Sequence, residues 1–323
     1  MARIQVISTG GTIAMKHDDG AGGAIPAVAG GELVALLPAE IGALEVEEYC
    51  NLPSAHFTLD TAWGIRTRVA ELAAQEGVQA IVVTHGTDAM EETAYLLDLT
   101  VDTDKPMVLT GAMRTASDVG YDGAANLLAA VRVGAADACK GLGALVVMNQ
   151  EIHAARHVTK VDTQSIDTFR SLLSGPLGRV DGDRVVVEMR VVRHYVPCTS
   201  LEPDVHLIKL GVGMDERFLR QLVEQDVAGV VIEALGGGRV PPWWMPTISE
   251  AVEKGMAVVI ASRCPSGRVY DAYGYPGAYR DLERAGVIFA EGLNGQKARI
   301  KLMVALGEPG AGTKIQELFS AGS

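Results

Sequence analysis

Short apolar runs rich in β-branched residues alternate with stretches of helical periodicity through the first half of the chain. The runs that predict strands are Ile4–Ser8, Leu44–Cys50, Gln79–His85, Pro106–Thr110 and Leu142–Met148. The helical stretches are Asp60–Glu76, with Asp60 and Gly77 as its expected caps, Met90–Leu99 and Asn126–Ala138. This alternation predicts an α/β fold of mostly parallel sheets with helices on both faces.

The second half repeats the alternation more briefly. Strands are predicted over His206–Leu210, Gly229–Ala234 and Ala257–Ser262, and helices over Glu216–Gln225, Ile248–Lys254 and Gln296–Leu306, the last with Arg299 and Lys301 in solvent. Pro197 and Pro203 stand among polar residues between the two halves. We therefore expect a larger N-terminal domain (1–194), a linker (195–204) and a smaller C-terminal domain (205–323).

Charge and composition narrow the classes of function. The 323 residues carry a formal net charge of −12 and no run of Lys or Arg, which disfavours nucleic acid as a partner. The four cysteines are scattered and predict neither a disulfide framework nor a metal site. A strand-like run begins almost at Met1, and no apolar run reaches about 18 residues. We therefore expect a cytoplasmic protein with no membrane partner, no metal and no cofactor.

The first segment with chemical character follows the first predicted strand and reads Thr9-Gly10-Gly11-Thr12-Ile13-Ala14. Paired glycines allow a sharp turn that presents backbone N–H groups and a hydroxyl at the edge of the sheet. A nucleotide loop is the alternative, but the G-x-G-x-x-G pattern and a P-loop lysine are both missing. Residues 17–31 are rich in Gly, Ala and Asp, a composition that favours a mobile flap over a site.

Two further segments carry hydroxyl, carboxylate and amine groups. The run Thr84-His85-Gly86-Thr87-Asp88 ends the third predicted strand, where parallel sheets collect their ligands. Asp88 with Glu91 also fits a helix capping box, and Lys160 also fits a surface lysine. His85 beside a glycine at a strand end is expected to be packed rather than catalytic. A threonine hydroxyl needs a base to become a nucleophile, and an Asp-held lysine supplies one.

These segments resemble the bacterial L-asparaginase/glutaminase family. The matching stretches are Thr9–Ala14, Thr84–Asp88 continued by Met90–Ala94, Gly111–Arg114, Val158–Lys160 and Gly295–Arg299, so the resemblance covers nearly the whole chain. The resemblance implies a homotetramer built from intimate dimers, with sites at the interface between subunits.

The resemblance also implies roles for individual residues. Thr12 is the expected nucleophile of an acyl-enzyme ester, and Thr87, Asp88 and Lys160 form its supporting network. Asp88 also contacts the substrate amine, and Ser54 binds the substrate carboxylate. The other expected substrate-binding positions are Gly11, Ala55, Gly86 and Ala112.

Three positions depart from the best-known secreted members of the family. The flap, residues 15–31, contains no tyrosine, Ala55 stands where those members carry a glutamine, and the stretch 270–279 contains Asp271 but no glutamate. Hydrolysis of L-asparagine is the expected activity. A dual asparaginase-glutaminase, or an amidase for another small amide, is the first alternative. A non-catalytic amino-acid-binding protein is the second alternative, and it would need neither a nucleophile nor a base.

Overall fold

The computed structural model describes residues 3–308 and 315–320. It divides the chain into two compact units, Met1–Tyr195 and Val196–Ser323. No helix among the described residues is long and apolar enough to cross a membrane. The division falls beside the predicted boundary at residue 194, and the assignment of 195–204 as a linker stays a prediction.

The described part of the first unit has twelve strands, eight of which form one large sheet. Its strands are β1 (Arg3–Gly10), β2 (Met15–Asp18), β3 (Gly23–Pro26), β4 (Leu44–Leu52), β5 (Val78–Thr84), β6 (Met107–Thr110), β7 (Ala144–Met148), β8 (Glu151–Ala154), β9 (Val158–Lys160), β10 (Phe169–Ser171), β11 (Gly178–Asp181) and β12 (Arg184–Val187). Its helices are α1 (Gly30–Val34), α2 (Leu59–Ala73), α3 (Met90–Thr100) and α4 (Gly123–Ala135).

The strand order of this sheet is β12-β11-β8-β7-β6-β5-β1-β4. Neighbours from β4 to β7 pair in parallel, and those from β7 to β12 pair antiparallel. The other two strand pairs, β2 with β3 and β9 with β10, are short antiparallel ribbons. The antiparallel half was not predicted, because its strands are three to four residues long and carry little periodic signal.

Both faces of the large sheet are covered, as predicted. Val6 and Val82 point into one buried cluster with Leu127 and other residues of α4. Ile7 and Val83, the next residues along the same strands, point into a second cluster with residues of α2 and α3. Because successive side chains of a strand face opposite sides, a strand buried on both faces must be apolar throughout. This explains the continuous apolar runs in the sequence.

The second unit has a smaller parallel sheet in the order β13-β14-β15-β16. Its strands are β13 (Val205–Lys209), β14 (Gly229–Ala234), β15 (Ala257–Ser262) and β16 (Ile288–Phe289), and its helices are α5 (Arg217–Glu224), α6 (Met245–Glu253), α7 (Tyr279–Arg284), α8 (Gly295–Gly307) and α9 (Ile315–Ser320). The core centres on Val230, Ile232 and Ile260 of the sheet together with Trp244 and Ile248.

Three local predictions were wrong. Helix α2 is capped by Thr58, whose hydroxyl accepts from the Thr61 N–H at 3.2 Å, not by Asp60, and it ends at Ala73, before Gly77. Lys301 is 1% exposed and not in solvent. Its ammonium lies 5.0 Å from the centre of the Phe319 ring in α9, where a cation is attracted to the ring face. The periodicity of α8 alone cannot reveal a second helix packed on it.

Candidate active site

The loops that hold the predicted site residues other than Lys160 all leave one edge of the large sheet. Ser8 of β1 is in register with Thr84 of β5, Thr84 is in register with Thr110 of β6, and Gly10 is in register with Leu52 of β4. These four strands are parallel, so their carboxyl ends coincide and the loops after them lie side by side. Ligands of parallel sheets bind at this edge.

The loop after β1 lies directly on the loop after β5. A Cβ placed on Gly11 would lie 2.5 Å from the Gly86 nitrogen, so no side chain fits between the two backbones. Gly11 also has φ +82°, in the left-handed region that favours glycine. Its N–H donates to the Leu52 carbonyl at 3.0 Å. Half-buried Thr12, the first residue of a short 3₁₀ turn, directly follows the glycine that lies against Gly86.

Ser54 lies on the other side of Gly86. A Cβ on Gly86 would meet the Ser54 hydroxyl oxygen at 2.6 Å, and that oxygen accepts from the Ala89 N–H at 3.3 Å. Ser54 is therefore buried against the same loop that carries Thr87 and Asp88. Ala55 follows it on an exposed turn, with its side chain in solvent.

Ala112 belongs to the loop after β6. A Cβ on the preceding residue, Gly111, would meet the His85 carbonyl oxygen at 2.5 Å and the Thr87 methyl at 3.4 Å. The Asn126 side-chain amide donates to the Gly111 carbonyl at 3.0 Å and thereby fixes this loop to helix α4. Ala112 is fully buried, and its side chain packs in the apolar cluster on one face of the sheet.

Lys160 joins the two remaining predicted residues. Its Nζ donates to the Thr87 hydroxyl at 3.0 Å and to the Asp88 carboxylate at 2.8 Å. The Lys160 side chain is 17% exposed, whereas the Asp88 side chain is 66% exposed. The lysine is therefore largely shielded from water while its carboxylate partner faces outward. The surface-lysine interpretation of Lys160 is wrong.

The capping-box interpretation of Asp88 and Glu91 is also wrong. Ala89, not Asp88, occupies the N-cap position of α3, and its methyl side chain makes no capping hydrogen bond. Glu91 instead accepts from the Thr159 hydroxyl at 3.0 Å and from the Lys160 N–H at 3.4 Å. The carboxylate thus ties strand β9 to α3, the helix that follows Thr87 and Asp88. Because Asp88 and Glu91 fit the capping pattern S/T/D-x-x-E, the contact of Glu91 with strand β9 was not predicted from the sequence.

His85 is completely buried beneath the site, as predicted. Its Nδ1 lies 2.7 Å from the Gly86 carbonyl oxygen, which can only accept, so Nδ1 carries the proton. Nε2, 2.9 Å from the Thr93 oxygen, then accepts from that hydroxyl. Burial lowers the pKa of His85 from 6.5 to about 4, and the hydrogen bond to Gly86 opposes this shift only partly. The neutral ring supports the loop and has no access to a substrate.

Comparison with known proteins identifies the family. The family model described as "Asparaginase, N-terminal" matches residues 3–193, and the one described as "Glutaminase/Asparaginase C-terminal domain" matches residues 204–319. The chain belongs to the asparaginase family. Among its relatives in the family, the L-asparaginase of Bacillus licheniformis is 35% identical over 315 residues, which cover 97% of this chain and 98% of the relative.

Two other family members are similar over nearly their full length. The glutaminase-asparaginase of Pseudomonas fluorescens biotype A is 31% identical over 332 residues, covering 99% of this chain and 90% of that protein. The solved structure of the probable cytoplasmic L-asparaginase from Campylobacter jejuni superposes with a TM-score of 0.88 at 32% identity, covering 99% of both chains. The two-domain α/β fold is therefore the fold of this family.

Most of the predicted site residues of this family member lie together. Gly11, Ser54, Gly86 and the Thr87–Asp88–Lys160 group are connected by the contacts given above, and Thr12 adjoins them through Gly11. Ala55 and Ala112 adjoin the group only through their neighbours Ser54 and Gly111. Sequence reasoning missed the supporting roles of Glu91 and Asn126. Within the described residues, no group of three His, Cys, Asp or Glu side chains could hold a metal ion.

Replacing Gly11 by alanine should separate the two loops. The added methyl must displace the Gly86 backbone, so we expect kcat/KM to fall by at least about a hundredfold and the protein to lose several kcal/mol of stability. Gly182→Ala is the matched control, because Gly182 also has positive φ (+60°) but open space around it. The control should lose only about 1 kcal/mol and keep its activity. Equal behaviour of the two variants would show that the loop contact is unimportant.

The buried neutral His85 predicts a pH-dependent contribution to stability. Its folded pKa lies below the unfolded value, so the contribution is complete above pH 6.5 and is lost as the pH falls toward 4. Between pH 7 and 4.5, the free energy of unfolding should therefore fall by about 2–3 kcal/mol more in the wild type than in His85→Gln. Urea titrations at several pH values measure this difference. Exposed His206→Gln is the control, and parallel curves for wild type and His85→Gln would contradict the prediction.

Proposed function

We propose that the protein hydrolyses L-asparagine to L-aspartate and ammonia through an ester formed on Thr12. The observation that carries the proposal is the pair of hydrogen bonds from Lys160 Nζ to Thr87 and Asp88, beside the loop that holds Thr12. A hydroxyl, a shielded amine and a carboxylate are the groups that a threonine nucleophile requires. Membership of the asparaginase family supports the same conclusion.

The reaction proceeds in two displacements. The Thr12 oxygen attacks the side-chain amide carbon of asparagine, and the amine form of Lys160 takes up the hydroxyl proton. The C–N bond then breaks, and the nitrogen leaves as ammonia after receiving a proton from Lys160. Water next attacks the ester, giving aspartate and restoring the Thr12 hydroxyl. Thr87 orients the amide, and backbone N–H groups of the neighbouring loops stabilise the developing oxyanion.

Substrate binding uses the outer part of the site. The exposed Asp88 carboxylate binds the substrate amine, and Ser54 binds the substrate carboxylate. The two residues adjoin one loop, since Asp88 belongs to it and the Ser54 hydroxyl accepts from the N–H of Ala89, the residue after Asp88. A ligand with both an amine and a carboxylate can bridge them while its amide reaches Thr12.

Glutamine is the second candidate substrate. Ala55 is short and exposed, so the side chain at this position does not fix the substrate amine at one distance from Thr12. A looser amine site tolerates an amide that is one methylene longer. The similarity to a glutaminase-asparaginase also favours this dual activity. A binding protein without catalysis is disfavoured, because binding does not require the Thr12–Lys160 chemistry.

We also propose a homotetramer and a cytoplasmic location. The family resemblance supports the first, and the described similarity to a probable cytoplasmic L-asparaginase supports the second. Light scattering after size exclusion tests the assembly, and a monomer at assay concentration would overturn it.

Replacing Thr12 by valine should abolish ammonia release. Removal of the nucleophile of an acyl-enzyme mechanism costs on the order of 10⁴-fold or more in kcat. Thr12→Ser keeps a hydroxyl and should retain measurable turnover, and Thr103→Val, remote from the site loops, should retain full turnover. A coupled ammonia assay on folded protein gives the comparison. Undiminished turnover in Thr12→Val would overturn the assigned nucleophile.

Replacing Ala55 by glutamine should favour asparagine over glutamine. The longer side chain reaches the substrate amine and fixes its distance from Thr12, which misplaces the longer substrate. We expect the ratio of kcat/KM for the two substrates to rise by roughly tenfold. His56→Gln, on the next exposed residue, is the matched control. If Ala55→Gln leaves the ratio of kcat/KM for asparagine and glutamine unchanged, the side chain at position 55 does not contact the substrate amine.

A further inference from the structure

A tyrosine outside the flap holds the turn that carries Thr12. The Tyr121 hydroxyl donates to the carbonyl of Ile13 at 2.8 Å, and Ile13 is the residue that follows Thr12 in the 3₁₀ turn. Tyr121 lies 108 positions further along the chain, at the end of the loop that joins β6 to α4. The hydrogen bond therefore links the turn that carries Thr12 to a loop from a distant part of the chain.

The same loop binds the chain at two more places beyond Thr12. The Ala116 N–H donates to the Met15 carbonyl at 3.0 Å, and the His17 N–H donates to the Ser117 hydroxyl at 2.9 Å. Together with Ile13, these contacts involve three alternate residues, 13, 15 and 17. Met15 and His17 are alternate residues of strand β2 and direct their backbone groups to the same edge, and Ile13 precedes them in the 3₁₀ turn. Strand β3 pairs along β2 as its hairpin partner, so the loop flanks the base of the flap.

Tyr121 is itself firmly held as a donor. Its ring lies over Gly123, where an added Cβ would be 2.5 Å from the ring carbon Cε2. The neighbouring Asp122 carboxylate accepts from the N–H groups of Met113 at 3.1 Å and Arg114 at 2.9 Å, which fixes the rest of the loop. Burial, together with the charge of Asp122, raises the pKa of Tyr121 to about 12. The hydroxyl therefore keeps its proton throughout the physiological range.

We propose that Tyr121 is a positioning residue for catalysis: its hydroxyl fixes the 3₁₀ turn so that the Thr12 oxygen points at the substrate amide. The inference rests on the proposed role of Thr12 as nucleophile. Ser54 and Asp88, the proposed binding groups, lie on other loops that Tyr121 does not bond. Loss of the Tyr121 hydroxyl should therefore impair the chemical step while substrate binding stays intact.

The test is Tyr121→Phe, which removes one hydroxyl and keeps the ring. We expect kcat for asparagine to fall by about tenfold and KM to stay within about twofold of the wild type, because a small displacement of the nucleophile slows attack without weakening binding. Tyr49→Phe is the matched control, because Tyr49 is a half-buried tyrosine of the same unit and should keep the wild-type kcat. Thermal unfolding of each variant shows whether the fold is intact.

A second variant disturbs the hydrogen bond between Tyr121 and Ile13 without changing Tyr121 itself. The added methyl of Gly123→Ala collides with the Tyr121 hydroxyl and must displace it, so this variant should lower kcat by a similar factor. In the Tyr121→Phe background the same change should lower kcat by less than about twofold, because the hydroxyl is already missing. Fully multiplicative effects of the two changes would mean that Gly123 does not act through Tyr121.

The outcomes separate this inference from the proposed function. If the wild-type protein releases no ammonia from asparagine or glutamine, the proposed function fails and the role of Tyr121 fails with it. If the wild type is active but Tyr121→Phe keeps kcat within twofold, only the role of Tyr121 is overturned. A fall in kcat that merely follows loss of folded protein, or a rise in KM equal to the fall in kcat/KM, also overturns it.

Discussion

The site depends on one close approach between two backbones. Gly11 lies so near the Gly86 backbone that it tolerates no side chain, and it also needs a left-handed conformation. The approach is possible because β1 and β5 are parallel neighbours whose carboxyl ends are in register. Two hydroxyl-bearing loops that are more than 70 residues apart in the chain thus become one surface. The buried, neutral His85 beneath them keeps the Gly86 carbonyl in place.

Lys160 is a largely shielded amine that is held at both its side chain and its backbone. Lys160 leaves a short antiparallel ribbon, β9 with β10, instead of the main sheet. Its amine is neutralised by the outward-facing Asp88, and its backbone N–H is held by the buried Glu91. The amine thus lies within hydrogen-bonding distance of both a threonine hydroxyl and a carboxylate. The protein proposed here as an asparaginase thus needs two carboxylates, one at each end of the same lysine.

The sequence predicted the parallel core well, because strands such as β5 are apolar on both faces and helices such as α3 follow them directly. It also placed the threonine loops at strand ends, and the structure brings the loop of Thr87 together with Lys160, while the catalytic roles of these residues stay a prediction. It did not predict Glu91, whose spacing from Asp88 equally suits a helix cap, or Lys301, whose covering helix lies beyond the local pattern. The hydrogen bond from Tyr121 to Ile13 spans more than 100 residues, and no local pattern of residues signals such a contact.

The proposed reaction depends on a covalent intermediate formed on Thr12, the residue that follows the Gly11–Gly86 contact. The most direct measurement is mass spectrometry of peptides from enzyme that was acid-quenched during turnover of L-asparagine. If Thr12 is the nucleophile, the peptide that contains Thr12 gains the mass of one aspartyl group, and the added group is sensitive to hydroxylamine as an ester is. The same increase on the peptide that contains Thr87, or on no peptide during steady turnover, would overturn the assignment of Thr12 as the nucleophile.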